Sequence, residues 1–109
     1  ATADGKPFML EDLINKPGQV REVAVRTPKP GQEDNFDAAR AGFFGKVAEQ
    51  PGYIFDREFL TADGKRVVMI GWESQEQFMT ALGKLSQMPD MGAFFGIIDA
   101  SAYQAAVVE

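Results

Sequence analysis

The sequence predicts an α+β domain: a four-stranded antiparallel sheet with two helices packed on one of its faces. Three observations point there. Four stretches, at 19–27, 53–61, 66–73 and 101–109, have the alternating or continuous apolar character of strands. Apolar residues at helical spacing fill the gaps after the first and the third of them. The pair Asp63-Gly64, a strong short-range hairpin signal, links the second to the third.

Taken in order, "QVREVAVRT" (19–27) puts Val23 and Val25 on one side of a strand and Glu22, Ala24 and Arg26 on the other. The prolines of "PKPG" (28–31) stop it, because proline cannot donate to a ladder. Residues 33–49 read as a helix, with Glu33 and Asp34 at the end where the dipole favours negative charge. Phe36, Ala39, Phe43 and Val47 form its apolar stripe, and Pro51 ends it. "YIFDREFLT" (53–61) and "RVVMIGWE" (66–73) pair through "ADGK" (62–65). Ser74 is the expected N-cap of a second helix over 75–87, with Gln77 completing a capping box and Phe78, Leu82 and Leu85 facing inward. "MPDMGAFFGII" (88–98), apolar but interrupted by Pro and Gly, reads as a short helix, and "SAYQAAVVE" (101–109) as the last strand. Residues 1–18 read as an N-terminal arm around "FMLEDLINK", leaving 19–109 as the domain. The order β-α-β-β-α-β, with crossovers of fixed hand, is the ferredoxin-like plan.

Composition excludes several chemistries. The chain of 109 residues is long enough to bury one core without metal or disulfide staples. Neither cysteine nor histidine occurs, which removes thiol catalysis, zinc sites with sulfur or imidazole ligands and His-based triads. The acidic residues are scattered without the spacing of a metal loop, so no metal is expected. A net charge of −5 without a basic stripe argues against nucleic acid. No apolar run approaches the ~20 residues of a membrane helix. The start, "ATADGKPF", has no apolar h-region, so a cytoplasmic location is expected, with a periplasmic one open.

Three short motifs carry a resemblance: "PGQEDNF" (30–36), "EQPGYI" (49–54) and "WESQEQF" (72–78). Through them residues 19–109 resemble the dimeric α+β barrel superfamily, and within it the antibiotic-biosynthesis-monooxygenase-like domains. That resemblance implies a homodimer, and an activity among cofactor-independent oxygenation of polyphenolic substrates, haem degradation and isomerisation of small ligands. Many proteins of this kind have no established activity. In the haem-degrading branch the tryptophan of this motif works with an asparagine on the first strand and a histidine on the second helix. Those positions here are Ala24 and Leu82, so haem degradation is not expected. A homodimer also has a physical rationale. Val68, Ile70 and Trp72 alternate on one side of the third strand, and we expect them on the sheet face that no helix covers, where a second subunit would bury them.

The expected cavity lies between the sheet and the 88–98 segment. Its candidate ligand-binding residues are Ala24, Val68, Ile70, Trp72, Met88, Met91, Phe94, Phe95 and Tyr103. If Ala24 faces it, the two-residue period brings Glu22 and Arg26 to it as well. Glu22 is then the candidate general base, its pKa raised by burial, and Arg26 the group that stabilises an anionic substrate. A base, a counter-charge and a dry pocket suffice for an oxygenase whose substrate reduces oxygen itself. The expected function is therefore the binding of a small hydrophobic or aromatic ligand, with cofactor-independent monooxygenation as the possible reaction. The alternative is a non-catalytic domain binding a fatty acyl or polyketide-like molecule, or serving assembly.

Overall fold

Strand β1 (Val20–Arg26) runs antiparallel between β3 (Arg66–Trp72) and β4 (Gln104–Val108), and β2 (Tyr53–Leu60) closes the other edge of β3. The sheet order is β2-β3-β1-β4. Helices α1 (Glu33–Val47), α2 (Gln75–Leu85) and α3 (Pro89–Phe95) complete the order expected of a ferredoxin-like domain. The structure, a computed structural model, describes residues 16–99 and 104–108. Most of the expected N-terminal arm, and Tyr103, lie outside the described residues.

Each junction has a local cause. Gly31 takes φ +84° in the turn before α1. Ser74 caps α2 as expected, its hydroxyl oxygen accepting the Gln77 N–H at 3.1 Å. The β2–β3 loop closes with Gly64 at φ +85°, its N–H donating to the Thr61 carbonyl at 3.0 Å. That is a turn followed by a left-handed glycine, the common longer relative of the two-residue hairpin. Gly52, at φ +91°, lies against Gln77, and its carbonyl accepts the Glu73 N–H at 2.8 Å. The second and third resemblance motifs are thus in contact, locking the start of β2 to the β3–α2 junction.

Pairing partners share a sheet face. Val20, Glu22, Ala24 and Arg26 of β1 oppose Trp72, Ile70, Val68 and Arg66 of β3, and all eight point at the helices. The core forms there: Ala24, Val68, Ile70 and Trp72 pack with Phe36, Phe43, Phe44 and Val47 of α1, Phe78, Ala81 and Leu85 of α2, and Phe94 of α3. This corrects one expectation. Val68, Ile70 and Trp72 lie under the helices of their own chain, 1–2% exposed, and not on the uncovered face. The reason is that β3 is apolar on both sides. Its other side carries Val67, Met69 and Gly71, so alternation alone cannot say which side the helices take.

The uncovered face is also greasy. Val23, Val25, Val67 and Met69 are half-buried there, with Phe59 42% and Val108 48% exposed. Phe55 lies flat over Gly71 beneath the Arg21 guanidinium, which sits 4.7 Å from the ring centre. A bulge in β2 makes this possible. Tyr53 pairs with Trp72 but Phe55 with Gly71, so the extra residue Ile54 sends Tyr53 to the helix side and Phe55 to the other.

Two glycine substitutions test this account by urea unfolding. Gly52→Ala should cost about 1–3 kcal/mol or more, because a left-handed backbone and Gln77, 2.6 Å from the new Cβ, both oppose it. Gly45→Ala, on the exposed side of α1 with no atom within 4 Å, should instead stabilise by about 0.4–1 kcal/mol.

Candidate functional site

The helix side of β1 carries two charges into an otherwise apolar interior. Arg26 is 2% exposed. Its guanidinium carbon lies 5.3–6.0 Å from the ring centres of Phe43, Phe44, Phe94 and Phe95, a cage drawn from α1 and α3. Ring faces are electron-rich and attract the cation. The chain after α3 holds this cage in place. The Lys29 N–H donates to the Ile97 carbonyl at 2.8 Å and the Asp99 N–H to the Thr27 carbonyl at 2.7 Å, tying the end of α3 to the end of β1.

Glu22, four residues before Arg26, shares its face. Burial raises the pKa of its carboxyl above the usual 4.5; the Arg26 charge and the Trp72 indole act the other way without cancelling it. Trp72 is 1% exposed, and its indole N–H makes no hydrogen bond of normal length to any described residue. It is nevertheless close enough to the Glu22 carboxylate to favour its charged form. Tyr53 packs edge-on to the indole with centroids 6.1 Å apart, and Phe78 lies 5.8 Å away on another side. The Tyr53 hydroxyl donates to the Asp56 carboxylate, and burial together with that bond raises the Tyr53 pKa.

Of these groups, Glu22, Arg26, Phe43, Trp72, Phe78 and Phe95 border one cavity of about 50 Å³ between sheet and helices. Of the residues singled out in the sequence, Glu22, Arg26, Ile70, Trp72, Met91 and Phe95 line it. Ala24 and Val68 face the same way but are sealed in the core beside it, as is Phe94 beneath Arg26. Met88 packs against the edge of the core. Sequence reasoning did not assign Phe43 and Val47 of α1, or Phe78, Leu82 and Leu85 of α2, to the wall. Their helical spacing marks them as inward-facing, but nothing in that spacing separates cavity wall from solid core. Leu82 departs from its expected place on the buried stripe. Ala81 occupies that stripe, and Leu82, 37% exposed, stands where the cavity meets solvent.

The other charges on the helix side are neutralised within the chain. Arg40 of α1 lies 2.7 Å from Glu58 and 3.8 Å from Asp56, and Arg66 contacts Glu58 at 3.0 Å and Asp37 at 3.1 Å. The carboxylates of β2 therefore pair with their own helix and neighbouring strand. Among the described residues no cluster of acidic side chains could hold a metal ion. No described helix is long and apolar enough to cross a membrane.

Comparison with known proteins follows the architecture. No family model matches the sequence. No curated protein matches it either. Solved structures do. SnoaB, a cofactor-independent oxygenase from Streptomyces nogalater, superposes with TM-scores of 0.73 and 0.71 in two crystal structures at 19% identity, over 84% of this chain and 92% of that one. A protein from Caulobacter crescentus CB15, provisionally named an antibiotic biosynthesis monooxygenase, gives 0.65 at 20% identity, covering 90% of this chain and 93% of its own. A similarly named protein from Nitrosomonas europaea gives 0.67 at 10% identity, covering 86% and 91%. At these identities the likeness is one of fold: the chain shares the α+β fold of these proteins.

The raised Glu22 pKa has a consequence for stability. The folded chain holds the Glu22 proton more tightly than the unfolded chain, so this residue's contribution to stability falls as pH rises above 4.5, the ordinary glutamate value. Glu22→Gln, which never ionises, should therefore melt higher than wild type at pH 8, with the gap closing below the ordinary glutamate pKa. Melting curves across pH check this.

Proposed function

We propose that this chain is one half of a homodimeric barrel that binds a small aromatic substrate between its sheet and helices and oxygenates it without a cofactor. The observation that carries the reading is the meeting of three side chains at one cavity: Glu22, Trp72 and Arg26, set among aromatic rings. The shared fold with SnoaB, a cofactor-independent oxygenase, supports the reaction class.

The chemistry needs an electron-rich hydroxyarene and molecular oxygen. Glu22 takes the hydroxyl proton, and a base with a raised pKa is better matched to that task than an ordinary carboxylate. The resulting anion is stabilised by the indole N–H and the Arg26 charge in a poorly solvated site. It passes one electron to oxygen, and the radical pair joins at a ring carbon as a peroxide. Glu22 returns its proton to the distal oxygen. The carbon then loses its own hydrogen as a proton while the O–O bond breaks. One oxygen atom remains as a carbonyl and the other leaves as water, so hydroxyarene and oxygen give quinone and water. The aromatic walls exclude solvent that would quench the anion.

The dimer rests on the uncovered sheet face. A patch that includes Val23, Val25, Val67, Met69 and Phe59 is more continuous than isolated surface apolar residues, and a second copy placed face to face would cover it.

Labelled oxygen tests the reaction. With electron-rich hydroxyarenes, one labelled atom should enter the product, and Glu22→Gln should cut the rate by about 10²–10⁴-fold. Retention of the hydroxyarene without oxygen uptake would instead mark a binding protein. Native mass spectrometry tests the assembly: wild type should be a dimer, and Met69→Glu, which buries a charge at the seam, should be a monomer.

A further inference from the structure

We propose that the substrate is a single-ring phenol whose one hydroxyl bridges Glu22 and Trp72; this rests on the oxygenase reading above and narrows it. The argument has two parts, bonding and size. The Trp72 indole is 1% exposed and its N–H finds no acceptor at normal distance among the described residues. A buried donor in that state favours any ligand that brings an acceptor. Beside it stands the Glu22 carboxyl, near enough to feel the indole but not at normal hydrogen-bond distance, and both residues line the cavity. A phenol hydroxyl answers both at once, because its O–H can donate to Glu22 while its oxygen accepts from the indole. A carbonyl can serve only the indole, an alkyl ammonium only the carboxylate, and a fatty acid would set a second carboxyl against the first. Once Glu22 takes the phenol proton, the phenolate oxygen keeps the indole donor, with the Arg26 charge on the same wall.

Size sets the number of rings. The cavity, at about 50 Å³, is room for only a few waters. Cavities that take benzene are about 150 Å³, so even one ring requires walls that yield. Two can do so cheaply. Leu82 is 37% exposed at the mouth, and Met91 is a half-buried, unbranched thioether able to change rotamer. The walls formed by Phe43, Val47, Ile70, Trp72, Phe78 and Leu85 are fixed in the core. Two rotating side chains can admit one ring. A fused three-ring system would have to move α1 or α2 as well.

Isothermal titration calorimetry of the full chain with phenol, anisole and a three-ring hydroxyarene tests this. Phenol should bind saturably and about tenfold or more tighter than anisole, which has lost the donor. The three-ring compound should give no heat of binding. Leu82→Trp, a change at an exposed position that leaves the core alone, should block phenol while circular dichroism shows the fold intact. Trp72→Phe should bring phenol down to the affinity of anisole. Anisole binding as tightly as phenol, a three-ring compound binding more tightly than phenol, or no phenol binding at all would each overturn the proposal. The oxygenase reading fails separately. If phenols bind and electron-rich phenols consume no oxygen, the ligand assignment stands and the reaction falls. If a three-ring substrate is oxygenated, the reaction stands and the size assignment falls.

Discussion

Two charges on one strand, held inside an aromatic interior, are the constraint around which this molecule is organised. Glu22 and Arg26 occupy helix-facing positions of β1, where a β-strand in a sheet covered by helices would ordinarily place aliphatic residues. An isolated buried charge costs several kcal/mol. The fold meets that cost for Arg26 with ring faces from α1 and α3. It meets it for Glu22 only in part, since burial outweighs the help from Arg26 and Trp72 and the pKa stays raised. That remaining mismatch is what the proposed site draws on. A carboxyl poised to hold a proton, an indole N–H with no hydrogen bond of normal length and a buried cation share one small space.

The rest of the helix side isolates that space. Arg40 and Arg66 tie α1 to the carboxylates of β2, and each also lies over a phenyl ring of α1, Phe44 and Phe36 respectively, 4.9 Å from its centre. The charges of β2 are thus drawn into their own network and kept away from Glu22. The bulge at Ile54 matters to the same end. It turns Tyr53 to the helix side, where the ring backs the indole and the hydroxyl is occupied by Asp56, so Trp72 is wedged from behind. Trp72 answers both descriptions a tryptophan at the end of a strand invites: it is core, and it is wall.

The order of elements was legible because its signals are local. Prolines at 28 and 30, the Asp63-Gly64 turn, the Ser74 cap and the helical spacing of Phe36, Phe43, Phe78 and Leu85 each act within a few residues, and the structure keeps all of them. The faces were less legible. Residues 67–72 are apolar at both parities, so the choice of which side meets the helices belongs to tertiary packing. Glu22 and Arg26 were placed together by the two-residue period, which held because β1 has no bulge. In β2 the same period misplaces Tyr53 relative to Phe55, and no residue near Ile54 announces the extra step. The wall supplied by α1 and α2 was hidden for another reason: Phe43, Val47 and Leu85 look the same in sequence whether they meet another side chain or a cavity.

The most direct test of the central claim is the titration of the Glu22 carboxyl itself, followed by carbon-detected NMR on selectively labelled protein and assigned with Glu22→Gln. The account requires a midpoint clearly above 4.5, because burial dominates its surroundings. A midpoint at or below that value would mean that Glu22 is an ordinary, fully compensated carboxylate, and the proposed site would lose its base.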